Sequence, residues 1–270
     1  MNMKRVIPLL TTLSIVLVVL SACVPSNSNT NTTATTTTTT TTTTTVVDNS
    51  PTVTFADADV EKVVREELKK LEGAITENDL LLVTALGVSG NNTTLTDLYR
   101  MPNIEHISFR GISENLDMTP VKSLKKLRGF STLLGDLEDI SFLEGLTGLE
   151  TLYVGKNAIT DISILRQLTK LKEIDLRQNL FELDDMTIFS QMTDLEYLSI
   201  ECVHIRSLNG IETLKNLKSL NIYDTGFGEI SPLLELTQLE KLWLCSCDIA
   251  QEDVDTLKKS LPDCEIYVNQ

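Results

Sequence analysis

Few side chains of this sequence could carry covalent chemistry, and the most distinctive is a cysteine near the N-terminus. Cys23 stands directly after Leu20-Ser21-Ala22, at the end of an apolar run that begins at Val6 and follows the basic pair Lys4 and Arg5. An apolar stretch of about 15 residues is short for a membrane-spanning helix and typical of a secretory signal. The small residues before Cys23 suit a signal peptidase, which indicates that the thiol lies at a processing site.

The segment from Leu20 to Cys23 resembles the lipobox of bacterial lipoproteins. In that family the cysteine is acylated through its sulfur, and it becomes the new N-terminus once the signal peptide, here residues 1–22, is removed. The resemblance implies a covalent diacylglyceryl (acyl, palmitate-type) lipid on Cys23 and no other cofactor. Two acyl chains anchor a protein durably at about 0.8 kcal/mol per buried CH₂. We therefore expect a lipid-anchored protein on the extracytoplasmic face of the cell membrane; the alternative is an ordinary secretory signal with a chance cysteine.

Four further cysteines lie near the end of the chain, and they do not form a disulfide scaffold, because a chain of 270 residues can build its own core. Cys245 and Cys247 are too close for a CxxC redox or zinc motif. We predict that Cys247 and Cys264 are small buried side chains. A disulfide from Cys245 or Cys247 to Cys264 remains an open alternative. The complete set is Cys202, Cys245, Cys247 and Cys264.

The charge balance of the chain is acidic, with a formal net charge of −15. Removal of residues 1–22 takes away Lys4 and Arg5, which leaves 21 basic and 38 acidic side chains and a net charge of −17. Such a surface repels phosphate backbones, so we expect no nucleic-acid partner. It favours basic or neutral partners.

A threonine-rich segment follows the cysteine. Residues 23–52 contain an unbroken threonine run from Thr35 to Thr45 and show no apolar periodicity, so we predict a disordered tether. As a flexible coil it would reach about 30 Å. A spacer that carries a domain clear of the membrane is one interpretation, and a product of gene slippage without function is the other. The threonines are also potential sites of O-glycosylation.

Residues 53–79 have a helical pattern and are predicted to form an N-terminal cap. Asp57 or Asp59 can cap the first helix, and a second short helix near Thr76 would place Leu80 and Leu81 inward. The apolar residues that share one face of the first helix are Val60, Val63, Val64, Leu68 and Leu71.

Self-similarity with a period of about 22 residues dominates residues 80–250. In the unit that starts at Leu146, apolar residues occupy positions 1, 4, 7, 9, 14 and 17, and Asn157 occupies position 12. A degenerate first unit starts near Leu80, with Asn91 at position 12. The seven units that follow start at Met101, Leu124, Leu146, Leu168, Met192, Leu214 and Leu236.

This pattern resembles the leucine-rich-repeat family, and most closely its bacterial internalin-like subgroup. The resemblance implies an α/β solenoid with a curved parallel β-sheet on the concave face, short 3-10 or irregular segments on the convex side, a helical N-terminal cap and a C-terminal cap. We expect residues 251–270 to form that last cap, with a helix over Glu252–Ser260 and a closing strand within Leu261–Val268. The inward ladder would include Leu149, Leu152, Val154, Asn157, Ile159, Leu171, Ile174, Leu176, Asn179, Phe181, Phe227, Cys247 and Ile249.

Position 12 departs from the pattern of the family in most units. An asparagine there can satisfy the backbone groups of neighbouring turns. Asn157 and Asn179 fit, whereas the other units carry different residue types, so the asparagine ladder does not define the curvature of the sheet around residues 130–135 and 203–225. Those other residues are Ile112, Gly135, Val203, Thr225 and Cys247.

The concave sheet face carries ligands in this family, and positions 6, 8 and 10 of each unit point outward from it. Aromatic side chains bury much area at little entropic cost and are enriched at binding hot spots. The alternative is that strands favour aromatic residues anyway. We expect Tyr197, Tyr223 and Trp243 to lie close together. The candidate ligand-binding residues are Tyr153, Arg177, Tyr197, Tyr223 and Trp243.

The residues provide little for catalysis. His106 and His204 fall about four repeats apart, about 20 Å at ~4.8 Å per strand, so they cannot share a catalytic or metal site. The acidic pair Asp184-Asp185 falls in the 24-residue unit and is interpreted as a solvated turn. No nucleophile or phosphate motif is present. We therefore predict a protein without enzymatic activity.

By analogy with internalin-like proteins, the expected function is adhesin-like recognition of a protein ligand, from the host or the cell envelope, by a monomer at the cell surface. The alternative is a structural or scaffolding envelope lipoprotein that binds cell-wall glycan or a membrane protein.

Overall fold

A computed structural model describes residues 49–113, 115–132, 134–245 and 247–268. The predicted signal peptide, the predicted lipidation at Cys23 and nearly all of the predicted tether lie outside these residues.

Nine parallel strands form one sheet in which each strand pairs with the strand of the next repeat. The strands recur at the same positions of each unit, because apolar residues at positions 7 and 9 alternate with outward residues at positions 6, 8 and 10. This architecture confirms the predicted leucine-rich-repeat solenoid. The strands of this sheet are β1 (Ala85–Ser89), β2 (His106–Arg110), β3 (Gly129–Thr132), β4 (Thr151–Tyr153), β5 (Glu173–Asp175), β7 (Tyr197–Ser199), β9 (Ser219–Asn221), β10 (Lys241–Trp243) and β11 (Glu265–Tyr267).

The core is a continuous stack of apolar side chains beneath the sheet. Leu152, Ile174, Leu198 and Leu220, at position 7 of successive units, are fully buried. Most of the predicted inward ladder is buried in this way. The exceptions are near the C-terminal end, where Phe227, Cys247 and Ile249 are only partly buried.

The convex side consists of short 3-10 helices. Polar side chains precede several of them: the carboxylate of Asp161 accepts the N–H of Ser163 at 2.7 Å, and Asp185 accepts that of Thr187 at 2.9 Å. Asp184 pairs with Arg206 at 2.6 Å, so the acidic pair Asp184-Asp185 has a structural role. The 3-10 helices span Thr96–Arg100, Thr119–Ser123, Ser141–Leu143, Ser163–Gln167, Thr187–Phe189, Ile211–Thr213 and Ser231–Glu235.

The 24-residue unit forms additional structure on this convex side. Strands β6 (Glu182–Leu183) and β8 (His204–Ile205) pair in parallel as a second, two-stranded sheet. The longer unit therefore extends the convex layer.

Position 11 adopts a left-handed backbone conformation in six consecutive units. Only one of the six residues is a glycine, although L-residues pay about 1–2 kcal/mol for this conformation. The sharp turn out of each strand requires it. The residues are Gly111, Leu134, Lys156, Gln178, Cys202 and Asp224.

Position 12 satisfies the carbonyl groups left free at the strand ends. Nδ2 of Asn179 donates to the carbonyls of Leu176 at 2.9 Å and Val154 at 3.0 Å, and its Oδ1 accepts the N–H of Ile159 at 3.1 Å. In the units without asparagine, the hydroxyl of Thr225 donates to the Ile222 carbonyl at 2.7 Å.

The thiol of Cys247 donates to the same Ile222 carbonyl at 3.0 Å. Hydroxyl and thiol groups therefore replace the amide in the C-terminal units, and the ladder is less interrupted than its sequence indicated. Cys247 is a half-buried hydrogen-bond donor, which corrects the prediction of a buried apolar side chain.

The N-terminal cap contains α1 (Ala58–Glu67) and α2 (Glu77–Leu80), and α1 packs against β1. Asp57 is the N-cap of α1, and it also accepts the N–H of Thr93 at 2.8 Å, so it joins the cap to the first repeat. Asn92, which donates to Asp57 at 3.0 Å, is the buried asparagine of this unit.

Three predictions for this cap are wrong. Leu71 is 72% exposed because α1 ends at Glu67, and Leu81 is exposed because α2 ends one residue before it. Asn91 is exposed, and the neighbouring Asn92 is the buried asparagine of the degenerate first unit.

At the other end, α3 (Gln251–Ser260) precedes the closing strand β11, close to the predicted bounds. Val254, Leu257 and Leu261 are buried, as predicted, and attach α3 to the core. Cys264 is half-buried and not fully buried, because β11 is the last strand and has a neighbour on one side only.

Candidate functional site

The concave face is built from positions 6, 8 and 10 of successive strands. On β1 to β3 these positions hold mainly small side chains, such as Gly87, Ser108 and Ser131. From β4 onward they hold tyrosines, a tryptophan and charged residues. The C-terminal half of the face therefore offers the chemically varied surface, and it includes every predicted ligand-binding residue.

An ion pair lies at the centre of this surface. Asp175 is 3% exposed, and its Oδ2 lies 3.2 Å from a guanidinium nitrogen of the half-buried Arg177. Gly155 on the neighbouring unit makes room for the pair, because a Cβ at Gly155 would lie 2.9 Å from Oδ1 of Asp175. Burial raises the pKa of Asp175, and the negative charge of Glu201 raises it further, although Arg177 opposes both.

Two tyrosines flank this ion pair. The hydroxyl of Tyr153 donates to the carboxylate of Glu173, which lies in the adjacent strand. Burial raises the pKa of Glu173, and the nearby charge of Glu196 adds to that effect. Tyr197 is half-buried and lies next to Glu173 in register. Burial and then the charge of Asp175 raise the pKa of the Tyr197 hydroxyl, so it remains protonated at neutral pH.

The predicted cluster of Tyr197, Tyr223 and Trp243 does not form. Tyr197 is at position 6 and Tyr223 at position 10 of neighbouring strands, so their backbones are about 14 Å apart at ~3.3 Å per residue and ~4.8 Å per strand. Among the described side chains, Trp243 instead stacks on Tyr267 of β11, with ring centroids 5.1 Å apart and planes inclined by 7°.

Tyr267 was not among the predicted site residues. The register that aligns Trp243 with Tyr267 shows that it occupies position 8 of the closing strand. A further step of 22 residues from Trp243 falls on Glu265, so the repeat frame alone does not identify Tyr267. The alternation of Ile266 and Val268, which leaves Tyr267 on the outward side of the strand, is the signal that does.

Next to Tyr223, Glu201 accepts hydrogen bonds from two side-chain amides. Nε2 of Gln178 donates to it at 3.1 Å, and Nδ2 of Asn221 donates at 3.3 Å. Both donors are neutral, so they hydrogen-bond the carboxylate of Glu201 without neutralising its charge.

A row of charged side chains that alternate in sign runs along the N-terminal ends of the strands, at position 5 of each unit. Glu150 contacts Arg128 at 2.6 Å and Lys172 at 2.7 Å, and Glu196 contacts Lys218 at 2.6 Å. Each exposed pair contributes at most about 1 kcal/mol, and the three basic residues offset three of the four acidic charges of the row. The row consists of Glu105, Arg128, Glu150, Lys172, Glu196, Lys218 and Glu240.

The four cysteines of the repeats are free thiols. Burial, with nearby carboxylates, raises the pKa of Cys202 and of Cys264 to about 11, and burial raises the pKa of Cys247. These thiols are therefore protonated and weakly reactive at neutral pH. Within the described residues, no group of three or more His, Cys, Asp or Glu side chains is arranged to hold a metal ion.

The histidines lie on different surfaces. His106 begins β2 on the concave face, whereas His204 belongs to β8 on the convex side. In the described part of the chain, no helix has both the length and the apolar character needed to cross a membrane.

Comparison with known proteins agrees with this architecture. The family described as Leucine Rich repeats (2 copies) matches residues 147–187. Internalin C2 from Listeria monocytogenes is similar in structure, with a TM-score of 0.70 and 24% sequence identity over 80% of this chain and 94% of that one. No curated protein matches the sequence significantly.

Two plant receptor structures share the fold over part of their length. The peptide hormone receptor RGFR1, solved in complex with RGF2, has a TM-score of 0.55 and 17% identity over 73% of this chain and 33% of the receptor. The ectodomain of the receptor kinase GASSHO1/SCHENGEN3 from Arabidopsis thaliana has a TM-score of 0.50 and 17% identity over 63% of this chain and 21% of that one. By its fold, the chain is a leucine-rich-repeat protein with an internalin among its structural neighbours.

Proposed function

We propose that this protein is a cell-surface recognition protein, adhesin-like and anchored by lipid at Cys23, that binds a protein ligand on its concave face. The observation that carries the proposal is the concentration of aromatic and charged side chains on the C-terminal half of that face. Trp243, Tyr223 and Tyr267 occupy outward positions that the core does not need.

The physical argument concerns the area and rigidity of these side chains. The stacked rings of Trp243 and Tyr267 hold each other in place, so little conformational entropy is lost when a ligand covers them. The two plant receptors with this fold were solved in complexes, which supports recognition as a use of the fold by analogy.

Proximity labelling on the cell surface tests the proposal, because it reports neighbours without presuming their class. We expect a reproducible protein neighbour that is lost when Trp243→Ala and Tyr223→Ala are combined. Tyr99→Ala is a matched control, since Tyr99 is exposed on the convex side. Equal labelling by all variants would contradict the proposed site, and co-sedimentation with peptidoglycan would favour the scaffolding alternative.

The anchor is tested separately by Cys23→Ser. We expect the native chain to incorporate labelled palmitate and to fractionate with membranes, and the variant to do neither. Membrane association of the variant equal to that of the native chain would contradict lipidation at this residue.

A further inference from the structure

Most carboxylates at the N-terminal ends of the strands and on the convex side have a structural partner. Glu150 and Glu196 form ion pairs along the row at position 5. On the convex side, Asp161 caps a 3-10 helix and Asp184 pairs with Arg206. These acidic side chains need nothing from outside the molecule.

Two carboxylates on the concave face differ from them. Glu173 and Glu201 are half-buried, and neither has an ion pair among the described residues. Arg177 lies between them, but its guanidinium forms an ion pair with Asp175. The hydrogen bonds to Glu173 and Glu201 come from the neutral groups of Tyr153, Gln178 and Asn221, which leave both negative charges in place.

The spacing of the two carboxylates follows from the sheet. Glu173 is at position 6 of its unit and Glu201 at position 10 of the next, so their backbones are about 14 Å apart. Glu173 has Tyr197 beside it in register on β7. Glu201 follows the end of β7 by two residues, and Tyr223 occupies the same position of the next unit. Each carboxylate therefore has a tyrosine in its neighbourhood.

We propose that the ligand presents two cationic side chains, lysine or arginine, about 14 Å apart, one for Glu173 and one for Glu201. In an extended peptide this distance corresponds to basic residues four positions apart, at ~3.3 Å per residue. The inference rests on the proposed function, because it names the chemistry of the segment that the concave face binds.

The energetic reason is the cost of a half-buried charge without a counter-charge. Partial burial removes water from Glu173 and Glu201, and a ligand cation restores the lost interaction through a charge-assisted hydrogen bond. The neighbouring tyrosine rings add a favourable cation–π contribution. The net negative charge of the chain would also speed the approach of a basic ligand.

Fluorescence anisotropy with defined peptides tests this inference on the full chain in a neutral detergent. The probe is a labelled 11-residue glycine-serine peptide with arginine at its fourth and eighth positions. One control peptide has glutamine at both positions, and another has its two arginines adjacent. We expect the first probe to bind at least about tenfold more tightly than either control, with weaker binding at high salt.

Variants of the protein complete the test. The double variant Glu173→Gln with Glu201→Gln should bind the spaced arginine probe about tenfold more weakly than the native protein. Glu229→Gln, a matched change on the exposed convex side, should leave the affinity for this probe unchanged. Unchanged urea unfolding midpoints would show that the fold is intact. Equal affinity for all three peptides, or no loss in the double variant, would overturn the inference.

The outcome for the proposed function is separate. If Trp243→Ala with Tyr223→Ala abolishes labelling of a surface neighbour while the glutamine variants do not, recognition stands and the cationic ligand is wrong. If no concave variant changes that labelling, the proposed function fails as well.

Discussion

Trp243 and Tyr267 stack with ring centroids 5.1 Å apart and nearly parallel planes, which joins the last repeat to the closing strand. The contact lies on the concave face, so the same pair of rings contributes to the proposed binding surface and packs the closing strand against the last repeat. Because β11 pairs with β10 over only three residues, side-chain contacts contribute substantially to holding it in place.

The first prediction concerns this stack. Trp243→Ala and Tyr267→Ala, alone and together, form a double-mutant cycle in urea unfolding, and we expect a coupling energy of about 1 kcal/mol. Additive effects of the two substitutions would show that the rings do not stabilise each other.

The second prediction concerns the asparagine ladder. Asn179→Ala leaves the Leu176 carbonyl and the Ile159 N–H without their side-chain partner, and it removes one of the two amide donors to the Val154 carbonyl, so we expect a loss of about 3 kcal/mol in the free energy of unfolding. Asn216→Ala is the control, because Asn216 is exposed and bonds a single carbonyl; it should cost less than about 1 kcal/mol. Similar losses in both variants would contradict the role given to the ladder.

The repeat pattern alone predicted the strands and most of the core. The reason is that apolar residues recur with a period of about 22 residues, and each unit buries the same positions against its neighbours. The burial of Leu152 at position 7 of one unit therefore predicts the burial of Ile174 at the same position of the next. The end caps follow no such period, which explains why the burial of Leu71, Leu81 and Cys264 was predicted wrongly.

Side-chain contacts across the concave face were less predictable. The outward direction of Tyr197 and Tyr223 follows from alternation, but their separation depends on their positions along neighbouring strands. The partner of Trp243 lies in the closing strand, 24 residues later, and its register is set by the C-terminal cap. The left-handed turns were missed because residue type at position 11 varies from glycine to leucine.

The third prediction uses one of those turns. Leu134 has φ of 62° and is 74% exposed, so replacing it with glycine relieves backbone strain and loses little packing. We expect Leu134→Gly to stabilise the protein by about 0.5–1 kcal/mol, after the greater flexibility of glycine in the unfolded chain is taken into account. The measurement is thermal or urea unfolding.

Leu180→Gly is the control for this prediction. Leu180 is 66% exposed and does not adopt a left-handed conformation, so glycine there should destabilise the protein by about 0.5–1 kcal/mol. A change of the same sign in both variants would show that exposure, and not backbone conformation, determines the effect.

The last prediction concerns Asp57, which joins the N-terminal cap to the first repeat. Burial alone would raise the pKa of its carboxyl, but hydrogen bonds from the Thr93 and Val60 N–H groups and from Asn92 together outweigh burial and lower it below 3.8. A carboxyl with a lowered folded pKa stabilises the fold above its unfolded pKa, and this stability is lost as pH falls through the folded pKa. We expect Asp57→Asn to cost about 2 kcal/mol at neutral pH, because its amide would face N–H donors. The gap between native and variant unfolding free energies should narrow as the pH falls below the unfolded carboxyl pKa and through the lowered folded pKa of Asp57; a gap that is independent of pH would contradict the ionised cap.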